Sequence, residues 1–182
     1  MIRVISYLFF FKGIGDSLYV YHKDGILLCN VKVFEGERLH QIYVNENVFV
    51  KGGKQIAQVI IEGYTGGSSK YGHKVNCKIL KKVKCKDWIQ DILVLSNEEC
   101  YVLTAHNVVE LWYFNVEEVK KNFGCEEKCI LYSGKLIGKR FDDLIVLAGT
   151  VFSEVVIWCP ASNSDFESPV LHRLKGHNVS TI

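Results

Sequence analysis

The 182-residue chain is 48% hydrophobic, 12% aromatic and 23% charged, with only two prolines. That composition belongs to a globular domain with a real core, and it excludes a disordered chain, a collagen and a coiled coil. Net charge is +2, yet residues 1–91 carry 14 Lys/Arg against 8 Asp/Glu and residues 92–182 carry 8 against 12. One half is basic and the other acidic.

Seven cysteines occur: Cys29, Cys77, Cys85, Cys100, Cys125, Cys129 and Cys159. Their odd number and irregular spacing, mostly inside apolar runs, predict free and largely buried thiols in a reduced, cytoplasmic setting. The apolar run Ile5–Phe11 is far too short to span a bilayer and lacks a small-residue cleavage site, so no membrane association is expected.

Along the chain, short apolar runs alternate with polar turns. Tyr7–Phe11, Leu18–Tyr21, Ile26–Val33, Leu39–Val44, Val48–Val50 and Ile56–Ile61 come first. Ile79–Val83, Trp88–Leu95, Tyr101–Thr104, Val108–Phe114, Cys129–Ile137, Leu144–Leu147, Val155–Trp158 and Val170–Leu174 follow. These are strand lengths bounded by Gly, Asn, Asp and Ser, and the aromatic content suits strands. Only Glu117–Phe123 has a helix-like composition, at two turns the shortest of helices. The chain reads as all-β. Val108–Trp112 and Val155–Trp158 are apolar on nearly every residue, the mark of middle strands buried on both faces between stacked sheets.

Tyr101–Ala105 followed by Val108–Trp112 aligns with Ile145–Thr150 followed by Val155–Trp158. Each is an apolar strand ending in small residues, a turn, and a strand ending in Trp. Trp112 and Trp158 lie 46 positions apart, close to the WD40 period of about 40–45 residues. Leu174-Lys175-Gly176-His177 then supplies a closing Gly-His, although Trp112-Tyr113 and Trp158-Cys159 replace the usual Trp-Asp. The expected fold is an incomplete WD40-type β-propeller of four-stranded antiparallel sheets, about three and a half blades. Blades are placed at about 1–35 (lacking its first strand), 37–86, 87–126 and 127–175, with a further one starting at 178–182. Such a chain is expected to be the N-terminal part of a longer protein, its remaining blades lying downstream, and to self-associate when expressed alone.

No set of residues forms a catalytic constellation. Gly63–Lys70 resembles a phosphate loop, but Lys70 neither follows the last glycine nor precedes Ser/Thr, so it reads as a flexible loop. Gly72-His73 falls in the same loop. Cys125 and Cys129 have the spacing of half a metal site with no matching second pair, and read as thiols flanking a turn. His106 reads as a turn histidine bonded to backbone. The neighbours Asp142-Asp143 and Glu117-Glu118 point apart in a strand or turn and make poor acid–base pairs. Lys78, Lys81, Lys82, Lys84 and Lys86 put five lysines in nine residues. Either they guard an edge strand, or they form a phosphate-binding stripe, with Lys84 and Lys86 on one face and Lys51, Lys54, Lys70 and Lys74 enlarging it.

Four local segments carry a family resemblance. Asp87–Ile92, Ala105–Trp112, Cys129–Gly138 and Ala148–Trp158 resemble, in order and spacing, the N-terminal propeller of the WD repeat-containing protein 6 family, and Leu171–His177 resembles its next blade junction. The likeness extends over about residues 7–182 and is strongest from Asp87 onward. It implies a non-enzymatic adaptor without cofactor or metal. Its implied partners are an FtsJ-type tRNA 2′-O-ribose methyltransferase and tRNA, and its implied task is to direct methylation to the first anticodon nucleotide. The alternative is a general WD40 scaffold in trafficking or signalling with no tRNA role. On this reading the lysine stripe is the candidate RNA contact, and Trp112, Trp158, Gly176 and His177 are structural positions of the repeat.

Overall fold

The computed structural model describes residues 9–63, 75–162 and 167–176. The chain divides into two compact units, Met1–Cys85 and Lys86–Ile182. In the first, β1 (Phe9–Ile14), β2 (Ser17–His22) and β3 (Leu27–Lys32) form an antiparallel sheet in chain order. A second sheet follows, of β4 (Gln41–Val44), β5 (Val48–Lys51), β6 (Gln55–Glu62) and β7 (Asn76–Lys84), again in chain order and antiparallel. Gly15 holds φ +60° between β1 and β2, a left-handed turn that glycine enters without a Cβ clash. Period-two alternation sends Leu18 of β2 with Phe11 and Val31 to one side, where they meet Val48, Val50, Ala57 and Val59 of the second sheet.

This stacking also places β3 beside β7. Cys29 and Cys77, with Cα atoms 6.3 Å apart, are joined there as a disulfide. The expectation of seven free thiols is therefore corrected for these two. They lie 48 positions apart in sequence, and only the packing of two different sheets brings them together. The other five form no disulfide; Cys85, Cys100, Cys125 and Cys129 are buried and Cys159 is half-buried.

The second unit holds two more sheets. One runs β8 (Ile89–Val94), β9 (Glu99–Thr104), β10 (Val108–Tyr113) and β11 (Glu118–Cys125). The other runs β12 (Leu131–Ile137), β13 (Ile145–Thr150) and β14 (Val155–Trp158), and closes with β16 (Val170–Leu174). Between β14 and β16 the chain detours through β15 (Glu167–Ser168), which pairs parallel with the end of β11 and so stitches one sheet to the other. As their apolar pattern predicts, β10 and β14 are middle strands, but β14 is enclosed on one face only, with Val156 and Trp158 buried and Val155 and Ile157 half-buried. Tyr101, Leu103 and Val109 of one sheet pack face to face against Leu131, Leu136, Val146, Val156 and Trp158 of the other.

Glu117–Phe123 departs from its composition. Glu118–Cys125 is a strand, paired in antiparallel register with β10 from Val108↔Gly124 to Tyr113↔Glu118. A tight turn with Glu117 at φ +55° reverses the chain, and the ladder offered by β10 outweighs a weak local helical preference. Among the described residues the only helical segments are single 3-10 turns at Phe141–Asp143 and Pro160–Ser162, and no helix is long and apolar enough to cross a membrane. The fold class is all-β, an incomplete WD40-type propeller.

Close approach of the two sheets depends on Gly134, where a Cβ would stand 2.4 Å from Leu103 Cδ2. Asp91 of β8, almost completely buried, accepts the Leu136 N–H at 2.9 Å and stands 3.0 Å from the Lys135 ammonium, both on β12. A buried carboxylate is tolerable only with such partners.

Trp158 is fully enclosed, whereas Trp112 is 6% exposed and bonds Glu110 Oε2 of its own strand at 2.7 Å. Trp158→Ala is expected to destabilise the chain by about 3–5 kcal/mol, the range for a large buried aromatic, and to cost at least as much as Trp112→Ala. Urea denaturation midpoints check this. A Trp158→Ala loss below about 1 kcal/mol, the size of a surface change, contradicts the placement of β14.

Candidate nucleic-acid interface and apolar rim

The lysine stripe lies on and just beyond β7, the last strand of its sheet, as an edge-strand reading requires. It does not form one continuous face. The β6–β7 register is Ile60↔Lys78, Gln58↔Lys81, Ala57↔Lys82 and Gln55↔Lys84, with an irregularity at Leu80, between the Lys81 and Ile79 pairings. Directly paired residues share a face. Lys78 and Lys81 therefore stand on one side, and Lys82 and Lys84 on the side of the first unit's core. Lys82 Nζ lies 5.8 Å from the centroid of the Phe34 ring. Lys86 lies past the end of the strand. Lys78, Lys84 and Lys86 are exposed, and Lys81 and Lys82 are half-buried. Of the lysines thought to enlarge the stripe, Lys51 is buried and Lys54 half-buried, while Lys70 and Lys74 lie outside the described residues.

A second surface feature lies on the other unit. The Ala105 N–H donates to the Trp88 carbonyl at 2.8 Å, the Leu131 N–H to the Ala105 carbonyl at 2.8 Å, and the Val151 N–H to the Ile130 carbonyl at 3.0 Å. This relay runs across the ends of both sheets. Along it stand four large apolar side chains that remain exposed: Trp88 at 56%, Ile130 at 51%, Tyr132 at 66% and Phe152 at 69%. In the sequence Trp88 and Ile130 are counted inside apolar strands, and the ladders begin one residue later.

Asp87 anchors the rim. Its carboxylate accepts the Trp88 N–H at 2.8 Å and the His106 N–H at 3.0 Å, and its Oδ2 lies 2.8 Å from His106 Nδ1. The His106 ring thus pairs with a carboxylate rather than with backbone, which corrects the expectation for this turn. Burial works against the Asp87 charge, but the bonds to His106 and Trp88 outweigh it and hold its pKa below the usual aspartate value.

Next to it, Asn107 is buried at φ +59°. Its Oδ1 accepts the Trp158 indole N–H at 2.9 Å, and its Nδ2 donates to the Glu127 carbonyl at 3.2 Å and reaches Cys129 Sγ at 3.7 Å. Burial pushes the Cys125 thiol up to about 11 and raises that of Cys129 as well. Thiols so protonated are poor metal ligands and nucleophiles. They flank the connection from β11 to β12, as a turn reading requires. Among the described residues no group of three or more His, Cys, Asp or Glu is placed to hold a metal ion.

The adjacent acids lie in a tight turn and at the surface. Asp143 accepts the Lys139 and Arg140 N–H groups at 2.9 and 2.7 Å, which lower its pKa and hold a tight turn. Glu117 and Glu118 are both exposed. Gly176 closes the described chain at φ +111°, while His177, His73 and the phosphate-loop-like residues 64–70 lie outside the described residues.

No protein-family model matches the chain. Half of it does have curated relatives. The chain is similar to a tRNA methyltransferase regulator. It is 31% identical over 93 residues to the tRNA (34-2'-O)-methyltransferase regulator WDR6 of Mus musculus, and 32% identical over the same length to the proteins of that name in Rattus norvegicus and Homo sapiens. Each match covers 50% of this chain and 8% of the relative. The relatives are named as regulators, not as catalysts.

The Asp87 anchor has a pH signature. A carboxylate with a lowered folded-state pKa adds stability above its unfolded value of about 3.9, and that share is lost as pH falls through the folded value. Acidification from neutral pH to about pH 3 is therefore expected to lower the urea midpoint of the wild-type chain more than that of Asp87→Asn. Equal losses contradict the anchoring role.

Proposed function

We propose that this chain acts as a non-catalytic adaptor for a tRNA 2′-O-methyltransferase, in the cytoplasm, helping to direct methylation to the first anticodon nucleotide. The observation that carries the reading is the sequence similarity of half the chain to curated regulators of that reaction. On this reading the methyl donor and the reacting groups belong to the enzyme. The adaptor contributes surfaces, and a fold hosts function through the sites on its surface.

In this reading Lys78, Lys84 and Lys86, the exposed members of the stripe, hold tRNA phosphates, with Lys81 and Lys82 supporting the same strand. Such contacts are sequence-independent and salt-sensitive. A general protein-interaction scaffold is the second reading, favoured by the row of Trp88, Ile130, Tyr132 and Phe152, because aromatic side chains are enriched and lysine depleted at protein interface cores. Recovery of a methyltransferase together with tRNA supports the first, and recovery of other proteins without tRNA the second.

A salt titration of tRNA binding tests the lysines. Replacing Lys78, Lys84 and Lys86 with Gln is expected to weaken binding and to reduce the log–log salt slope by about 0.7–0.9 per phosphate no longer neutralised. Unchanged affinity and slope retire the RNA role of these residues and leave them as guards of an edge strand.

A further inference from the structure

Two cysteines stand where the two sheets of the first unit meet. Cys29 pairs with Val20 in the β2–β3 register, and Cys77 with Ile61 in the β6–β7 register. Directly paired residues share a face, so each cysteine stands on the inward side of its sheet. Leu18 and Val20 are fully buried on that side of the first sheet, and Ile61 packs against the shared core from the second. β3 and β7 are also the last strands of their sheets, which puts the pair at the margin of that core. Both cysteines are half-buried. Their Cα atoms are 6.3 Å apart, inside the span of about 4.4–6.8 Å that a disulfide bridges.

The remaining cysteines are placed differently. Cys85, Cys100, Cys125 and Cys129 are buried, and Cys159 is half-buried but joined to no other cysteine. Thiol–disulfide exchange needs a sulfur that a small reagent can reach, and exposed disulfides are the labile ones. Of the seven, only Cys29 and Cys77 combine partial exposure with a partner at bonding distance.

The fold brings this pair together. Joining residues 48 positions apart removes loop entropy from the unfolded chain, worth about a thousandfold in the folding equilibrium. Linkage makes the relation mutual, so the folded chain favours the closed bond by the same factor over the unfolded one. Leu18, Val48, Val50, Ala57 and Val59 still pack the two sheets together when the bond is open. The bond therefore sets how firmly the sheets are held, not whether they meet.

We propose that Cys29 and Cys77 are a reversible redox pair in the folded chain, closed by a small-molecule disulfide and reopened by a small-molecule thiol, and that the closed form clamps the β1–β3 sheet to the β4–β7 sheet. Glutathione disulfide and glutathione are reagents of this class. In closure, the thiolate of one cysteine attacks glutathione disulfide, whose S–S bond breaks to release one glutathione and leave a mixed disulfide. The thiolate of the second cysteine then attacks the protein sulfur of that mixed disulfide and displaces the second glutathione. Two protein thiols are oxidised, one glutathione disulfide is reduced to two glutathione thiols, and these take up the two protons. Opening is the reverse. The inference is independent of the proposed tRNA role.

Equilibration of the 182-residue chain in glutathione buffers of increasing disulfide content tests this. Samples are quenched with acid, alkylated under denaturing conditions and read by peptide mass spectrometry. A Cys29–Cys77 cross-link is expected to form and disappear reversibly with the buffer ratio, while far-UV circular dichroism keeps the same strand content. In concentrated urea the same bond is expected to need a buffer about a thousandfold more oxidising. Reduction is expected to lower the urea midpoint of wild type and to leave those of Cys29→Ser and Cys77→Ser where they are. The proposal is overturned by the absence of a cross-link in oxidising buffer, or by one between other cysteines in its place. A bond that opens only when the chain unfolds, equal buffer midpoints with and without urea, or a wild-type urea midpoint indifferent to reduction overturns it as well.

Discussion

The indole N–H of Trp158 reaching the amide of Asn107 is the contact on which the second unit depends. Trp158 is completely enclosed, so its N–H must find a protein acceptor, and an orphaned donor there would cost about 1–3 kcal/mol. The acceptor comes from the neighbouring sheet, in the turn that joins β9 to β10. That turn holds Asn107 at φ +59°, a conformation asparagine tolerates better than most residues. The other end of the same amide donates to the Glu127 carbonyl and reaches Cys129 Sγ, on the connection to the next sheet. One side chain thus fixes a turn, an inter-sheet connection and the third strand of the following sheet. A second line of ties runs along the opposite strands. Gln90 donates to the Leu131 carbonyl, Asp91 takes the Leu136 N–H, and Gly134 allows Leu103 to close in. Between these two lines the apolar faces have little freedom to slide.

Much of this fold is legible in the sequence because its strands are short, apolar and punctuated by turn residues. Each apolar run read from the sequence overlaps a strand. β11 is not legible, because Glu118-Val119-Lys120-Lys121-Asn122 lacks an apolar stripe and is held by the ladder of β10 rather than by its own preference. β15 is two residues long and exists only because β11 offers it an edge. The Cys29–Cys77 bond depends on how two sheets stack, and sequence spacing carries no trace of that. The lysine stripe shows a different limit. Its density is plain in the sequence, but the irregularity at Leu80 changes which lysines share a face. Trp88 and Ile130 look like strand residues until the hydrogen-bond ladder shows that β8 and β12 begin one residue later.

On the proposed reading the chain is a binding platform. The thiols that imitate a metal pair are buried and protonated, the exposed histidine pairs with an anchoring aspartate, and the adjacent acidic residues sit in turns or at the surface. What the fold presents instead is a lysine-bearing edge on one unit and an aromatic rim on the other. Exposed aromatic side chains at loop ends, held in line by backbone bonds, suit recognition because little side-chain entropy is lost when they are covered. The charge division between the units adds direction to whatever meets them, since oppositely charged surfaces orient an encounter before contact.

The central claim is that the Asn107–Trp158 bond couples the two sheets of the second unit. A double-mutant cycle with Asn107→Ala and Trp158→Phe measures it most directly, read from urea unfolding of the two single variants and the double variant. A coupling energy of about 1–3 kcal/mol is expected, since each change alone strands the partner's buried polar group while the double change removes both. Additive effects, agreeing within about 0.5 kcal/mol, would contradict it.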